Sequence, residues 1–187
     1  MHPGFAIILL WAFFALTWLV AAWWSDPADK KIGFRAELPY RLVLLIGGII
    51  FAVPARSYHG PLRLWHVTLS EAWICVALIM LGFAFCWWAR IHIGPLWSGS
   101  VTRKGDHAVI DTGPYAFVRH PIYAGILLAV FATSAAKGTI WGIGGALIIT
   151  IGLWMKARLE EGWLRRELDP GAYDAYSRRV PMLVPWR

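Results

Sequence analysis

The chain lacks most of the features that mark a soluble enzyme. It has only two cysteines, Cys75 and Cys86, and both fall in one apolar run, roughly three helical turns apart. That excludes a disulfide framework and a cysteine-based zinc site, and it predicts two buried thiols on one helix face. No Gly-x-Gly-x-x-Gly follows a strand-like run, so the usual soluble dinucleotide pocket is excluded. His92 and His107 have no third ligand at metal-binding spacing, so no metal is expected. Acid is scarce: 11 Asp and Glu stand against 18 Lys and Arg, for a net charge of +7. The basic excess flanks apolar runs, which fits membrane topology and argues against a nucleic-acid partner. No basic segment precedes the first apolar run, which is longer than a signal-peptide core, so a retained helix is expected. Low-complexity segments and internal repeats are absent.

What the chain has in quantity is apolar surface: 58% hydrophobic residues and 13 tryptophans in 187 residues. This reads as one all-α integral membrane domain, 1–187, with five transmembrane helices. The expected spans are Pro3 to Trp24, Tyr40 to Pro54, Leu69 to Ala89, Ile122 to Ala136 and Thr139 to Met155. Residues 1–89 then hold three helices that face lipid and acceptor. Residues 90–187 hold a long loop, a C-terminal helical hairpin turning at Lys137-Gly138, and a tail. Ser25 to Pro39 reads as a polar loop with a turn at Asp26-Pro27. Thr68-Leu69-Ser70-Glu71 has capping-box spacing, which gives Glu71 a structural task. Gly138 and Gly142 have a spacing that permits close helix packing. Asp169-Pro170 reads as the start of a last short helix. With five spans and a cytoplasmic C-terminus, only Arg56, Arg63 and Lys137 of the 18 Lys and Arg fall outside. The positive-inside rule therefore selects N-out, C-in, with His59 and His66 on the outer side.

Two segments carry chemistry. In Gly113-Pro114-Tyr115-Ala116-Phe117-Val118-Arg119-His120-Pro121-Ile122-Tyr123-Ala124-Gly125, Pro121 suits the first turn of a helix, which puts His120 at the N-cap. Unpaired N–H groups, the helix dipole and Arg119 then make an anion site at a helix mouth. The second segment, Arg158-Leu159-Glu160-Glu161, ends the next apolar helix. A hairpin returns residue 160 near the level of residue 120, so a carboxylate faces the anion site, a pairing that suits a zwitterionic small molecule. Adjacent helical residues diverge by about 100°, so one glutamate is expected to face the site and the other to pair with Arg165 at i,i+4. The plain alternative is an interfacial arginine and a solvated charged helix end.

Together these elements resemble the isoprenylcysteine carboxyl methyltransferase family: Gly113-Pro114-Tyr115, Arg119-His120-Pro121-Ile122-Tyr123-Ala124-Gly125, Arg158-Leu159-Glu160-Glu161, Tyr173, Tyr176 and Val180-Pro181, with Trp97 to Val101 similar as well. The resemblance covers roughly residues 94–187 and extends to membrane phospholipid N-methyltransferases. It implies S-adenosylmethionine as methyl donor, in a cytosol-facing pocket of a multi-pass protein, and a lipophilic or prenylated acceptor entering from the bilayer. The leading expectation is carboxyl O-methylation of an isoprenylcysteine-like substrate; a phospholipid amine and a small thiol are the alternatives. An NADPH-dependent enzyme similar to sterol reductases, or a non-catalytic membrane interaction protein, are the readings of a different class. On this resemblance Tyr115, Val118, Arg119, His120, Pro121, Tyr123, Gly125, Glu160 and Glu161 are cofactor-binding, and Arg158 orients an anionic acceptor as the catalytic candidate. Compactness suggests a prokaryotic inner membrane.

Overall fold

In the computed structural model, residues 2–24, 30–31, 33–53, 62–97, 102–103, 109–167 and 171–185 are described. The readings at Asp26-Pro27, His59, Ser98 to Val101, His107 and Asp169-Pro170 lie outside them. The described residues form six α-helices: α1 (Pro3–Ala22), α2 (Phe34–Ala52), α3 (Leu69–Ile93), α4 (Pro121–Lys137), α5 (Ile140–Glu167) and α6 (Ala172–Arg179). Short 3-10 turns cover Gly94–Leu96 and Gly113–Ala116. The β structure among the described residues is one antiparallel ladder, β1 (Lys30–Lys31) against β2 (Thr102–Arg103), and an isolated bridge between Arg63 and Thr139. Among the described residues, three helical stretches are long and apolar enough to cross a membrane: Pro3–Ala22, Leu69–Leu96 and Ile140–Arg166; Pro121–Lys137 is apolar but shorter.

Local chemistry sets the helix ends. Thr68 and Glu71 form a capping box: Glu71 N–H donates to Thr68 Oγ1 at 3.3 Å, and Thr68 N–H to Glu71 Oε2 at 2.8 Å. This satisfies two backbone donors at once. Lys137 ends α4, and Gly138 turns the chain in the left-handed region at φ 61°, where a side chain would be strained. Helix α2 differs from the sequence reading, which began a span at Tyr40. It starts at Phe34 and carries Pro39 inside. The Arg41 guanidinium donates to Glu37 one turn back, Nη2 to Oε2 at 2.6 Å, which ties the helix across the proline. The last helix begins at Ala172 after a left-handed Gly171.

Packing follows small residues. Helix α4 lies along α3 where Gly82 and Gly125 meet: a Cβ on Gly125 would stand 2.5 Å from the Gly82 carbonyl oxygen. Helix α5 lies along α2, where a Cβ on Gly145 would stand 2.6 Å from the Phe51 backbone nitrogen. Helix α1 adds Phe14, stacked on Phe83 with centroids 4.1 Å apart, and Trp11, whose indole donates to Thr133 Oγ1 at 3.0 Å. Both cysteines are buried and free.

Candidate functional site: a histidine between two carboxylates

The start of α4 and the late turns of α5 lie side by side. His120 is the N-cap of α4, with Pro121 at the first helical position. Its ring is 8% exposed and bridges both glutamates of α5: Nε2 is 3.2 Å from Glu161 Oε1 and Nδ1 is 3.5 Å from Glu160 Oε2. Carboxylates only accept hydrogen bonds, so both ring nitrogens act as donors, which is the imidazolium form. Burial opposes that charge, but hydrogen bonds from the ring to Glu160 and Glu161 outweigh it and raise the His120 pKa above its ordinary 6.5. The ring stacks on Tyr123 with centroids 5.3 Å apart, and the Tyr123 hydroxyl donates to Glu160 Oε1 at 2.6 Å.

The two glutamates therefore do not split between site and solvent. Their Cβ directions diverge, yet the two ring nitrogens of His120 reach one carboxylate each. Glu161 is the more enclosed, with its side chain 1% exposed, and it also accepts from Arg119 Nε at 2.8 Å. Its second oxygen lies 3.6 Å from Arg165, the i,i+4 partner. The Glu160 side chain keeps 17% exposure, and Lys156 Nζ stands 3.8 Å from its Oε1.

Arg119 departs from the anion-site reading. Its Nη1 donates to the carbonyls of Ser177 at 2.7 Å and Val180 at 2.6 Å, while Nε holds Glu161. The backbone N–H groups of Arg119 and His120 donate to the Pro181 and Met182 carbonyls at 2.9 and 3.1 Å. The Arg119 guanidinium and the N-cap N–H, both expected to face an anion, are taken by the C-terminal segment. Arg119 is thus a tie between α4, α5 and the segment after α6. A Tyr173, Tyr176 and Val180 cluster seats that segment, and the Tyr176 hydroxyl donates to the Tyr115 carbonyl at 2.7 Å.

The remaining sequence candidates separate by place. Tyr115, Val118 and Pro121 are buried beside the junction. Gly125 has its open side filled by Gly82 and Cys86 of α3, so it serves helix contact and leaves no free space for a ligand. Arg158 is exposed, with its guanidinium over Trp154 at 5.8 Å. Sequence reasoning passed over Tyr40 of α2 and Lys156 of α5, whose rings and ammonium line the same junction; Lys156 Nζ lies 5.8 Å from the Tyr40 ring and 5.4 Å from the Tyr123 ring. The available signal was a lysine inside an apolar helix.

Residues 74–161 match the isoprenylcysteine carboxyl methyltransferase (ICMT) family. The match covers a little under half of the chain. The match contains Arg119, His120, Tyr123, Lys156, Glu160 and Glu161, and leaves Tyr40 and the C-terminal clamp outside. Among curated proteins, the chain is similar to methanethiol S-methyltransferase 1 of Bradyrhizobium diazoefficiens, 40% identical across 96% of this chain and 66% of that protein. It is similar to the nickel-cobalt-cadmium resistance protein NccN of Alcaligenes xylosoxydans xylosoxydans, 27% identical across 64% of this chain and 55% of that protein. It also matches protein-S-isoprenylcysteine O-methyltransferase of Schizosaccharomyces pombe, 28% identical across 52% of this chain and 42% of that protein. The chain thus spans between about two-fifths and two-thirds of the lengths of these relatives.

Proposed function

We propose that this protein is a multi-pass membrane methyltransferase that uses S-adenosylmethionine and acts on a small or lipophilic thiol. The observation that carries the reading is the His120 bridge between Glu160 and Glu161, inside the family segment of a chain that matches a thiol methyltransferase across 96% of its length. The second acceptor, an isoprenylcysteine-like carboxylate, is favoured by the similarity to protein-S-isoprenylcysteine O-methyltransferase. We propose five spans in a prokaryotic inner membrane; given that count, the excess of basic residues in alternate connecting segments supports N-out and C-in, with the site on the cytoplasmic side.

The donor set suits S-adenosylmethionine. Glu160 is a carboxylate with an accessible edge, ready to accept from an amine or ribose hydroxyls, and the Tyr123 and His120 rings offer a flat wall. When bound, S-adenosylmethionine supplies an electrophilic methyl group. Glu160 would hold it, with His120 and Tyr123 fixing the carboxylate. Glu161 and Arg119 position that pair by closing the α4–α5 junction against the C-terminal segment. Burial excludes water, which strengthens these charge contacts and favours in-line transfer.

Calorimetry with S-adenosylhomocysteine on the full chain in detergent tests the reading. We expect binding in the wild type and a loss of about 1.5–3 kcal/mol for Glu160→Gln, the scale of a hydrogen bond to a charged group. Binding of NADPH but not S-adenosylhomocysteine overturns it.

A further inference from the structure

A charge inside protein is tolerated when a partner of opposite charge stands beside it. Among the described residues, the fully buried acidic and basic side chains are Glu37, Arg90, His120 and Glu161. Glu37 has Arg41 at 2.6 Å, and His120 and Glu161 have each other at 3.2 Å. Arg90 has no carboxylate partner among the described residues; what it has is two carbonyls and two rings. Its Nη1 donates to the Gly94 carbonyl at 2.5 Å and its Nη2 to the Ala21 carbonyl at 2.8 Å. The guanidinium lies 5.0 Å from the centroid of the Trp24 ring and 4.7 Å from that of Trp97. Carbonyl dipoles and ring faces orient the charge without neutralising it. A second sign is independent of the charge. The Arg90 Nε is buried with no hydrogen-bond partner, whereas nearly all buried polar atoms in folded proteins have one. Trp24 is 48% exposed, so one wall of the enclosure is a side chain half in solvent.

Arg90 is also joined to the His120 junction. Trp97, over the Arg90 guanidinium, packs on the apolar cluster of Ala89, Tyr115 and Ile122. Tyr123 packs on the same cluster, and its hydroxyl donates to Glu160 at 2.6 Å. The Tyr115 phenol lies in the field of both charges: burial pushes its pKa up, Glu160 raises it further and Arg90 lowers it. Arg90 and Glu160, of opposite sign, thus share one cluster. The cations nearer Glu160 each stand beside a carboxylate already. Arg119 is 2.8 Å and Arg165 3.6 Å from Glu161, and Lys156 is 3.8 Å from Glu160.

Resting on the methyltransferase reading above, we infer that Arg90 binds the carboxylate at the amino-acid end of S-adenosylmethionine. That end is a zwitterion, so it requires a cation for its carboxylate as well as an acceptor for its amine. Glu160 is the acceptor, and Arg90 is the cation that the Arg119 guanidinium, tied to Glu161 and the C-terminal segment, does not supply. A carboxylate accepts from the orphaned Nε–H, and its charge is the missing counter-ion. Trp24, at the end of α1, is the exposed wall past which the carboxylate enters. Trp24 lies outside the matched residues 74–161, so the first helix contributes to a cofactor site whose other parts come from α3, α4 and α5.

The test is calorimetry on the full chain in detergent, as wild type, Arg90→Met and Arg90→Lys. The ligands are S-adenosylhomocysteine and its decarboxylated analogue, which keeps the amine and lacks the carboxylate. We expect the wild type to bind S-adenosylhomocysteine about tenfold to a hundredfold more tightly than the analogue, the range of a hydrogen bond between charged groups. Arg90→Met should bind the two ligands equally, with the analogue within about twofold of its wild-type affinity. Arg90→Lys should keep part of the preference, because an ammonium retains the charge and loses the fork. A wild type that binds both ligands equally overturns the inference without any variant and leaves the methyltransferase reading intact. An Arg90→Met protein that keeps the wild-type preference does the same, as does one that loses both ligands alike, since Arg90 would then only tie α1 to α3. A wild type that binds neither ligand overturns both.

Discussion

His120 and Glu161 meet at 3.2 Å across 41 residues of sequence, where the N-cap of one helix touches the last turns of the next. The contact joins a charge that burial disfavours to a carboxylate that is 1% exposed. Each group makes the other tolerable inside protein, and Arg119 and Glu160 complete the arrangement from either side.

One consequence is a pH dependence of stability. The His120 pKa is raised by the fold, so the folded state holds its proton more tightly than the unfolded chain. This contribution is fully present below the unfolded value of 6.5 and is lost as pH rises through the raised folded value. Thermal unfolding in detergent should therefore show a midpoint that falls from pH 6.5 upward. His120→Gln should flatten that slope; a wild-type midpoint constant over the same range would contradict the imidazolium assignment.

A second consequence separates the two glutamates. Glu161 is enclosed by Arg119 and His120, so Glu161→Ala leaves buried Arg119 with no carboxylate and His120 with Glu160 alone. We expect a stability loss of about 3–5 kcal/mol. Glu160 keeps an accessible edge, so Glu160→Ala should unfold near wild type but bind S-adenosylhomocysteine poorly. Chemical denaturation and calorimetry on the same two preparations check the split; equal effects on both measurements would remove the distinction.

Much of this arrangement was legible in the sequence, and the reasons for the rest are physical. Pro121 marked the helix start, Thr68 and Glu71 marked a capping box, and Gly138 marked a turn, because each acts through neighbours in sequence. The roles of Arg119 and Glu160 depended on partners far along the chain. Arg119 looked available for an anion because nothing local uses its guanidinium; its partners, Ser177 and Val180, lie 58 and 61 residues away. The divergence of Glu160 and Glu161 was correctly reckoned for helix geometry, but a bridging imidazole closes that angle. Pro39 suggested a loop, while the Glu37–Arg41 pair holds helix α2 on both sides of it.

The contact of α3 with α4 gives a third prediction. A methyl group at Gly125 would stand 2.5 Å from a backbone oxygen of Gly82 and 2.6 Å from Cys86 Sγ. The sulfur can turn away, but the carbonyl cannot move without its helix. Gly125→Ala should lower stability by about 1–3 kcal/mol, and adding Cys86→Ala should not restore it. Full rescue by that second change would place the clash on the sulfur alone.

Orientation offers a fourth. Accessible cysteines introduced at Gly4 and Arg187 should label from opposite faces of sealed vesicles, with Gly4 outside, while native Cys75 and Cys86 stay silent because they are buried. Labelling of both positions from one face would contradict an odd number of spans.

The last prediction concerns Arg119. An interfacial arginine contributes little to packing, and its loss would leave the fold intact. Here one guanidinium holds Glu161 of α5 and the Ser177 and Val180 carbonyls. Its fork geometry reaches these partners at once, whereas a lysine offers a single point charge on a flexible stem. Arg119→Leu should therefore release the segment from Ala172 onward and leave Glu161 with His120 and the more distant Arg165. Limited proteolysis should cut near Ala172–Arg179 faster than in wild type, with α1 to α3 still protected. Arg119→Lys should restore the charge opposite Glu161 but only part of the protection, because the two carbonyls lose their shared donor. Equal protection of all three proteins would return Arg119 to the status of a surface anchor, and the clamp over the His120 junction would need another cause.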